Sequence, residues 1–355
     1  MTSIPQTQTA WVATTRGPPS KVLQVNQDYP VPTPTKSGDV LVKIHAAALN
    51  PAGWKIMTIA PNFVWERPYI PEVDVSGVVV DANESQFSNG DQVVGLISTA
   101  VQRSTHQGAL SQYVFLPASQ LVLKPSNQSF SSAAGIPTVG QTALQALRTT
   151  PKTIFVNGGS TSVGIYTIQI AKSMGLRVVA SASGRNEAFV RGLGADEFID
   201  YTTEPPHVYL TRNSPTPLFS LVLDAAALID PSLYRHSEGF IDKSGMFISV
   251  GPWPFGRGWK AGLLGTMKYL WAVLQPGWAG GVKRSWKMIT VTRRQADLQK
   301  LCEMVEAGTV RPVTDSTYDF NDVLDAYNQL MGGHVVGKVV VNVIPERGGQ
   351  EGEGG

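Results

Sequence analysis

The sequence predicts an α/β fold, a doubly wound parallel sheet joined to a second, β-rich domain. Three observations carry that prediction. Residues 153–172 read TIFVNGGSTSVGIYTIQIAK: a short apolar strand, a glycine turn, then an amphipathic helix. Residues 176–180 (LRVVA), 219–223 (FSLVL) and 246–250 (MFISV) repeat the apolar strand at helix-length intervals. Strands that alternate with helices build parallel sheets. The first third of the chain instead carries many short β-type runs separated by Gly, Asn and Pro.

The glycine turn is the most informative stretch. A turn of this kind brings backbone N–H groups to a pyrophosphate at a helix N-terminus. Its pattern, Gly159-x-Thr161-x-x-Gly164, has Thr where a second glycine is usual. A lone glycine fingerprint is a weak signal, and the strand before it and the helix after it supply the context. Gly159, Ser160, Thr161, Ser162, Val163 and Gly164 are therefore candidate phosphate-binding residues. Gly251, after the strand 246–250, is a further candidate. The competing reading is an ordinary strand–helix turn with no ligand. Thr161 leaves less room beside a phosphate but offers a hydroxyl donor.

Along the chain, residues 39–49, 75–80, 91–96, 113–117 and 121–124 read as strands of a partly open barrel. Residues 131–147 are rich in small residues and helical, with Pro137 and Gly140 as interruptions. The Rossmann-type alternation then runs to about residue 250. Residues 252–282 break it with Trp253, Phe255, Trp259, Tyr269, Trp271 and Trp278 among glycines and prolines; within them, 263–274 fit an amphipathic helix. Residues 286–292 read as a last strand, 297–307 and 321–330 as helices, and 337–343 (GKVVVNV) as a terminal strand. The tail 346–355 has the composition of a disordered end.

Composition excludes several classes. The formal net charge of +2, with no basic run, argues against nucleic acid as a partner. The single cysteine, Cys302, excludes an intrachain disulfide and any multi-cysteine metal site, and fits a reducing, cytoplasmic setting. The start, MTSIPQTQTAW, has no secretory pattern, and no segment has the apolar length of a membrane span.

The second strand of the α/β domain ends at Ser181-Ala-Ser-Gly-Arg-Asn186. An NAD site carries an acid near Ser183 to bind the ribose 2′-hydroxyl. Here a hydroxyl stands there, and Arg185 follows with a guanidinium able to fork onto a 2′-phosphate. The cofactor expected is NADPH. Arg185 can equally be a solvated helix-start residue.

Taken in order, further strings resemble one family. They are Asn50-Pro51 before Trp54-Lys55, the run GDQVVG from Gly90, GALSQY from Gly108, GQTAL from Gly140, the glycine turn, GADEFIDY from Gly194, and GKVV from Gly337. The chain resembles zinc-free medium-chain dehydrogenases/reductases of the quinone-oxidoreductase and enoyl-reductase branch. The turn's Gly-Gly-Ser-Thr version is similar to fungal trans-acting enoyl reductases. The resemblance implies a GroES-like catalytic domain built from residues 1–130 and 286–355. It also implies a Rossmann domain inserted at 131–285, with 252–282 as an aromatic insertion. One departure is Gly53, where the family often has Asp in its Asn-Pro-x-Asp motif.

By resemblance, Asn50 lies beside the nicotinamide, Thr138 and Thr142 pass its amide, Tyr201 reaches the 2′-phosphate, and Lys338 faces the cofactor. Lys55 matches a lysine that enoyl reductases place near the reacting end, where it can hold an enolate oxygen or deliver a proton. Asn50, Lys55 and Thr142 are thus the catalytic candidates. The bland readings are a turn residue for Asn50, caps for the threonines, packing for Tyr201 and surface lysines for Lys55 and Lys338. The tyrosine proton donor of mitochondrial-type enoyl reductases is missing from residues 60–63. No Cys/His set matches a catalytic or structural zinc, so no metal is expected. The function implied is hydride transfer to the C=C of an α,β-unsaturated carbonyl, on a small molecule or a carrier-linked thioester. The alternatives are a quinone oxidoreductase, or a nucleotide-binding scaffold without turnover. Residues 252–282 serve as a pocket wall, a dimer edge or a membrane-surface contact, and the chain is a monomer or homodimer.

Overall fold

The computed structural model describes residues 4–34, 36–149, 151–251 and 259–345. The chain divides into two compact units. One comprises Met1–Thr138, Arg293–Gly308 and Pro312–Gly355, and the other Val139–Thr292 with Thr309–Arg311.

The first unit is β-rich. Its strands are β1 (Thr7–Ala13), β2 (Leu23–Pro30), β3 (Asp39–Ala48), β4 (Asp74–Asp81), β5 (Gln92–Leu96), β6 (Tyr113–Pro117) and β7 (Leu121–Leu123). The strands β1 and β2 form an antiparallel ribbon that the sequence pattern does not announce. The reason is compositional: Leu23–Pro30 reads LQVNQDYP, is almost wholly solvated, and shows no apolar alternation.

The second unit carries β8 (Thr153–Asn157), β9 (Arg177–Ala182), β10 (Glu197–Asp200), β11 (Phe219–Asp224), β12 (Ile241–Ser249) and β13 (Ser285–Met288). They form one parallel sheet in the order β10-β9-β8-β11-β12-β13. The strand β8 is buried along its whole length, as expected of a parallel strand covered on both faces. The chain leaves β8 toward β9 on one side and resumes with β11 on the other. That reversal is the switch point at which doubly wound sheets bind ligands, beyond the C-terminal ends of the strands.

The last two strands, β14 (Thr314–Asp319) and β15 (Lys338–Asn342), return to the first unit. There β15 pairs antiparallel with β3 and parallel with β14, completing a seven-stranded sheet. Trp11 Nε1 donates to Phe320 O at 2.6 Å, and Ser131 Oγ to Asn342 Oδ1 at 2.6 Å. The first unit is thus made from both ends of the chain.

Three expectations are corrected. The division expected at residue 286 lies further on, because β13 is hydrogen-bonded to β12 and the unit runs to Thr292. The division expected after 130 falls after Thr138, because the helix Phe130–Ala134 packs under β3 and β15 through Ala134. Gly140 does not interrupt its segment. Pro137 opens the helix Pro137–Ala146, and Gly140 lies inside it.

Of the aromatic insertion, residues 252–258 lie outside the described residues. Trp259–Leu274 is a helix that buries Tyr269 and Ala272, while Leu264, Met267, Trp271 and Leu274 are exposed. Among the described residues no helix is long and apolar enough to cross a membrane.

The core of the second unit predicts its own fragility. Phe155, in the middle of β8, is fully buried and stacks on Phe219 with centroids 5.8 Å apart. Phe155→Ala should destabilise the protein by about 3–5 kcal/mol, the usual cost of emptying such a site. Urea titration followed by circular dichroism would show the midpoint lowered with the slope unchanged.

Candidate active site

Asn50 opens the helix Pro51–Ile59, with Pro51 in the first turn. Asn is favoured as an N-cap because its side chain usually accepts from the first turn. Here it makes no such bond. Its amide is turned instead into a buried polar cluster of the first unit. Lys338 Nζ donates to Asn50 Oδ1 at 2.8 Å and to Asp74 Oδ2 at 3.1 Å. Asn50 Nδ2 donates to Asp74 Oδ2 at 3.0 Å and to Glu72 Oε2 at 3.4 Å. Glu72 Oε2 also accepts from the Asn50 backbone N–H at 2.9 Å, and Glu72 Oε1 from the Tyr327 hydroxyl at 2.8 Å. Asp74 Oδ1 accepts from both Thr138 N and Thr138 Oγ1, at 3.0 and 2.7 Å.

All members but Thr138 are buried: Asn50 is 4% exposed, Glu72 2%, Asp74 0%, Lys338 3% and Tyr327 0%. Burying two carboxylates with one ammonium leaves one negative charge uncompensated. Burial is the main reason the Glu72 carboxyl is pushed up to about 7. The Tyr327 hydroxyl, Lys338 and the Asn50 N–H pull it down, and Asp74 raises it further. The Tyr327 phenol is held well above its ordinary range, by burial and then by Glu72.

The cluster places four residues that the sequence singles out. Asn50 is not a plain turn residue. Lys338 is not a surface lysine. Thr138 gives its hydroxyl proton to Asp74. Gly53 is glycine because the Glu72 carboxylate stands where a side chain would start: a Cβ there would collide with Oε1 and lie 2.6 Å from Cδ. Lys55, further along the same helix, is half-buried, and burial lowers its ammonium to about 8.

The second unit holds the glycine turn. Thr161 caps the helix Ser162–Ser173; its hydroxyl accepts from Gly164 N at 3.1 Å and donates to Gly158 O at 2.7 Å. The hydroxyl proton expected to serve a phosphate is therefore spent on the turn. Gly164 is required by close approach, since a Cβ there would collide with Gly158 O. The N–H groups of Gly159 and Thr161 go to Ser181 O and Gly158 O. Ser160 and Val163 are the candidates whose N–H groups meet no acceptor among the described residues. These two N–H groups at a helix N-terminus fit a pyrophosphate.

A polar chain absent from the sequence-based candidates braces the turn. Ser181 Oγ donates to Asn157 Oδ1 at 2.8 Å, and Asn157 Nδ2 to Asp224 Oδ1 at 2.8 Å. Buried Asp224 is pushed up to about 6 by burial, opposed by Asn157 and the backbone N–H groups of residues 226–228. A signal for it exists in the sequence: each of these apolar strands carries one polar residue near its end, Asn157, Ser181 or Asp224.

At the end of β9, Arg185 is exposed, with no hydrogen bond or ion pair among the described residues. Tyr201 is half exposed. Ser183 Oγ accepts from Asn186 Nδ2 at 3.2 Å. The acid missing from this strand end is not far off: Asp200 Oδ2 lies 2.5 Å from where a Gly184 Cβ would be, and Oδ1 is held by the Thr202 N–H and hydroxyl. Thr142 is buried in the helix Pro137–Ala146, and Gly251 follows β12 with φ at +101°.

Family models match two stretches, the alcohol dehydrogenase GroES-like domain over residues 36–126 and zinc-binding dehydrogenase over 193–341. A trans-enoyl reductase of Aspergillus terreus is 30% identical over 357 residues, spanning 96% of this chain and 98% of its own. The chain is a medium-chain dehydrogenase/reductase. Another member of the family, the NADPH-dependent alkenal/one oxidoreductase of Arabidopsis thaliana, is 32% identical over 97% of this chain and 81% of its own. The quinone oxidoreductase of Coxiella burnetii superposes with a TM-score of 0.76 at 25% identity, covering 95% of this chain and 99% of its own. This family member is an oxidoreductase whose hydride carrier is a nicotinamide nucleotide.

Among the described residues, the zinc in the family model's description finds no fitting donor set. Cys302 is buried in the helix Gln295–Glu306, and burial pushes its thiol up to about 12, far from the thiolate a metal needs. His45 stacks on Phe130 at 4.2 Å, and His106 Nδ1 bonds Pro68 O at 2.9 Å. Among the described residues no three His, Cys, Asp or Glu gather as ligands.

Glu72 sets a pH dependence. Its carboxyl is higher in the folded chain than in the unfolded one, so the folded state binds the proton more tightly. The stability this contributes is complete below about 4.5 and is lost as pH rises through about 7. The titratable groups facing it are Tyr327, Lys338, Asp74 and Tyr69. In Glu72→Gln the unfolding free energy should fall less between pH 5 and 8 than in the wild type, as measured by urea titration.

Proposed function

We propose that this chain is an NADPH-dependent reductase of C=C bonds conjugated to a carbonyl, on a small molecule or a carrier-linked thioester, working without zinc. The observation that carries the reading is the helix Pro51–Ile59, which begins at the clamped Asn50 and bears a partly desolvated lysine, Lys55, whose ammonium burial lowers to about 8. The trans-enoyl and alkenal/one reductases among its relatives support it.

Bound NADPH supplies a hydride. The substrate β-carbon receives it, the C=C electron pair moves toward the carbonyl, and negative charge develops on oxygen. An ammonium is suited to hold that oxygen, because the charge it meets appears only as the reaction proceeds. Lys55, lowered to about 8, remains largely protonated at neutral pH, and it can release its proton toward the α-carbon and recover it. The Ser160 and Val163 N–H groups would hold the pyrophosphate, and Arg185 with Tyr201 would take the 2′-phosphate. By the family resemblance, Asn50, Thr138, Thr142 and Lys338 would serve the nicotinamide end. A quinone is the second substrate class, favoured by the chain's likeness to the Coxiella burnetii quinone oxidoreductase.

NADPH should bind more tightly than NADH. A charge-assisted contact contributes about 1.5–3 kcal/mol, so Arg185→Ala should weaken NADPH by about one to two decades and leave NADH nearly unchanged. Fluorescence titration of both nucleotides checks this, and equal affinities in the wild type would refute it.

With crotonaldehyde and NADPH deuterated at the transferring position, NMR should find the label at the β-carbon of butanal. Label at the carbinol carbon of crotyl alcohol would overturn the reading. Lys55→Met should lower kcat by about 10²-fold with a smaller effect on KM. The wild-type kcat should decline as pH rises through about 8, the limb on which Lys55 loses its proton, and that limb should vanish in the variant.

A further inference from the structure

We propose that Glu72 is a positioning residue that fixes the Asn50 amide with its oxygen toward the cofactor, so that Asn50 acts only as a hydrogen-bond acceptor. The proposal rests on the reading above that Asn50 serves the nicotinamide end. Hydrogen-bond capacity leads to it. An asparagine amide has two N–H donors and an oxygen with two lone pairs. Both donors are committed, to Asp74 Oδ2 at 3.0 Å, Glu72 Oε2 at 3.4 Å and Ala48 O at 3.3 Å. One lone pair of Oδ1 takes the Lys338 ammonium at 2.8 Å. Among the described residues no other donor reaches Oδ1, so its second lone pair suits a ligand N–H or O–H, such as a carboxamide N–H.

Glu72 makes that orientation obligatory. It accepts from the Asn50 backbone N–H as well as from the side chain, so it holds both ends of the residue. Flipping the amide would set its oxygen against two carboxylates and its NH₂ against an ammonium. Glu72 reaches this place through an unusual backbone. Its φ is +64°, in the left-handed region that a non-glycine residue seldom adopts. Tyr327 anchors the other carboxylate oxygen. The space comes from Gly53, which has no Cβ to collide with the carboxylate. A carboxylate donated from elsewhere in the fold thus stands at the first turn of the helix Pro51–Ile59, where the helix dipole favours negative charge.

Three variants test this. Glu72→Leu removes the acceptor at similar volume. Gly53→Ala leaves every hydrogen-bonding group in place and forces the carboxylate aside. Glu72→Gln keeps an acceptor for Asn50, since its NH₂ can donate to the Tyr327 oxygen. NADPH affinity is read by fluorescence, kcat and KM with crotonaldehyde, and the Asn50 side-chain amide of the apo protein by ¹⁵N NMR, assigned with Asn50→Asp. Glu72→Leu and Gly53→Ala should each lower kcat at least about ten-fold, on the scale at which small misplacements of reacting groups act. NADPH affinity and KM should stay within about three-fold, and the Asn50 amide signal should shift in both. Glu72→Gln should keep kcat within about three-fold.

Wild-type kcat in folded Glu72→Leu and Gly53→Ala would overturn the proposal. So would Glu72→Gln falling as far as Glu72→Leu, because charge and not the acceptor would then be what matters. If Glu72→Leu does not fold, Gly53→Ala and Glu72→Gln decide. A wild type that neither binds NADPH nor reduces crotonaldehyde would instead refute the reading of the function. An Asn50 amide that is unmoved in Gly53→Ala refutes the clamp whatever the activity.

Discussion

The burial of two carboxylates around one ammonium is the constraint on which the first unit depends. Neither Asp74 nor Glu72 can be desolvated without donors, and Lys338 cannot be desolvated without acceptors. The partners come from distant parts of the chain: Asn50 from the helix after β3, Asp74 from β4, Thr138 from beyond the last barrel strand, Tyr327 and Lys338 from the C-terminal return. A buried pair broken from one side costs about 3–5 kcal/mol. The cluster therefore ties both chain ends into one unit by electrostatics, as β15 ties them by its ladder to β3.

The second unit meets a different constraint, that of backbone groups at a strand-to-helix turn. Its strand order reverses around β8, so the crossovers part to either side of that strand's end. The turn there must satisfy its own N–H groups while leaving some for an anion. Thr161 and Ser181 take several of them, and the Ser181–Asn157–Asp224 chain fixes the three strand ends relative to each other. Among the described residues, the N–H groups of Ser160 and Val163 are left without an acceptor. The replacement of a glycine by Thr161 is thus a cap and not a defect of the site.

The fold is legible in the sequence where periodicity is strong. The apolar strands β8, β9, β11 and β12 and the glycine turn stand out because a strand buried on both faces has to be apolar throughout. The solvated ribbon strand β2 and the polar strand β14 (TDSTYD) are not legible, since they bury little and their pairing is set by neighbours far along the chain. The site divides in the same way. Asn50, Lys55 and Lys338 emerge from the family strings, but Glu72 does not. It lies in a loop, its backbone is one a glycine would normally adopt, and its meaning depends on the missing side chain at Gly53. Absence of a side chain is a signal only once the neighbour that fills the space is known.

The same burial acts in opposite directions on the two ionisable groups that border the helix Pro51–Ile59. It raises the Glu72 acid to about 7 and lowers the Lys55 ammonium to about 8. Desolvation penalises whichever form is charged, so an acid and a base converge on neutrality from opposite sides. Their surroundings then separate their roles. Glu72 is enclosed, and its oxygens are engaged by Tyr327 and Asn50. Lys55 is only half-buried, so on the proposed reading its proton is replaced from water. On the proposed reading the two roles stay apart, because the group that orients the amide is not the group that gives up and regains a proton.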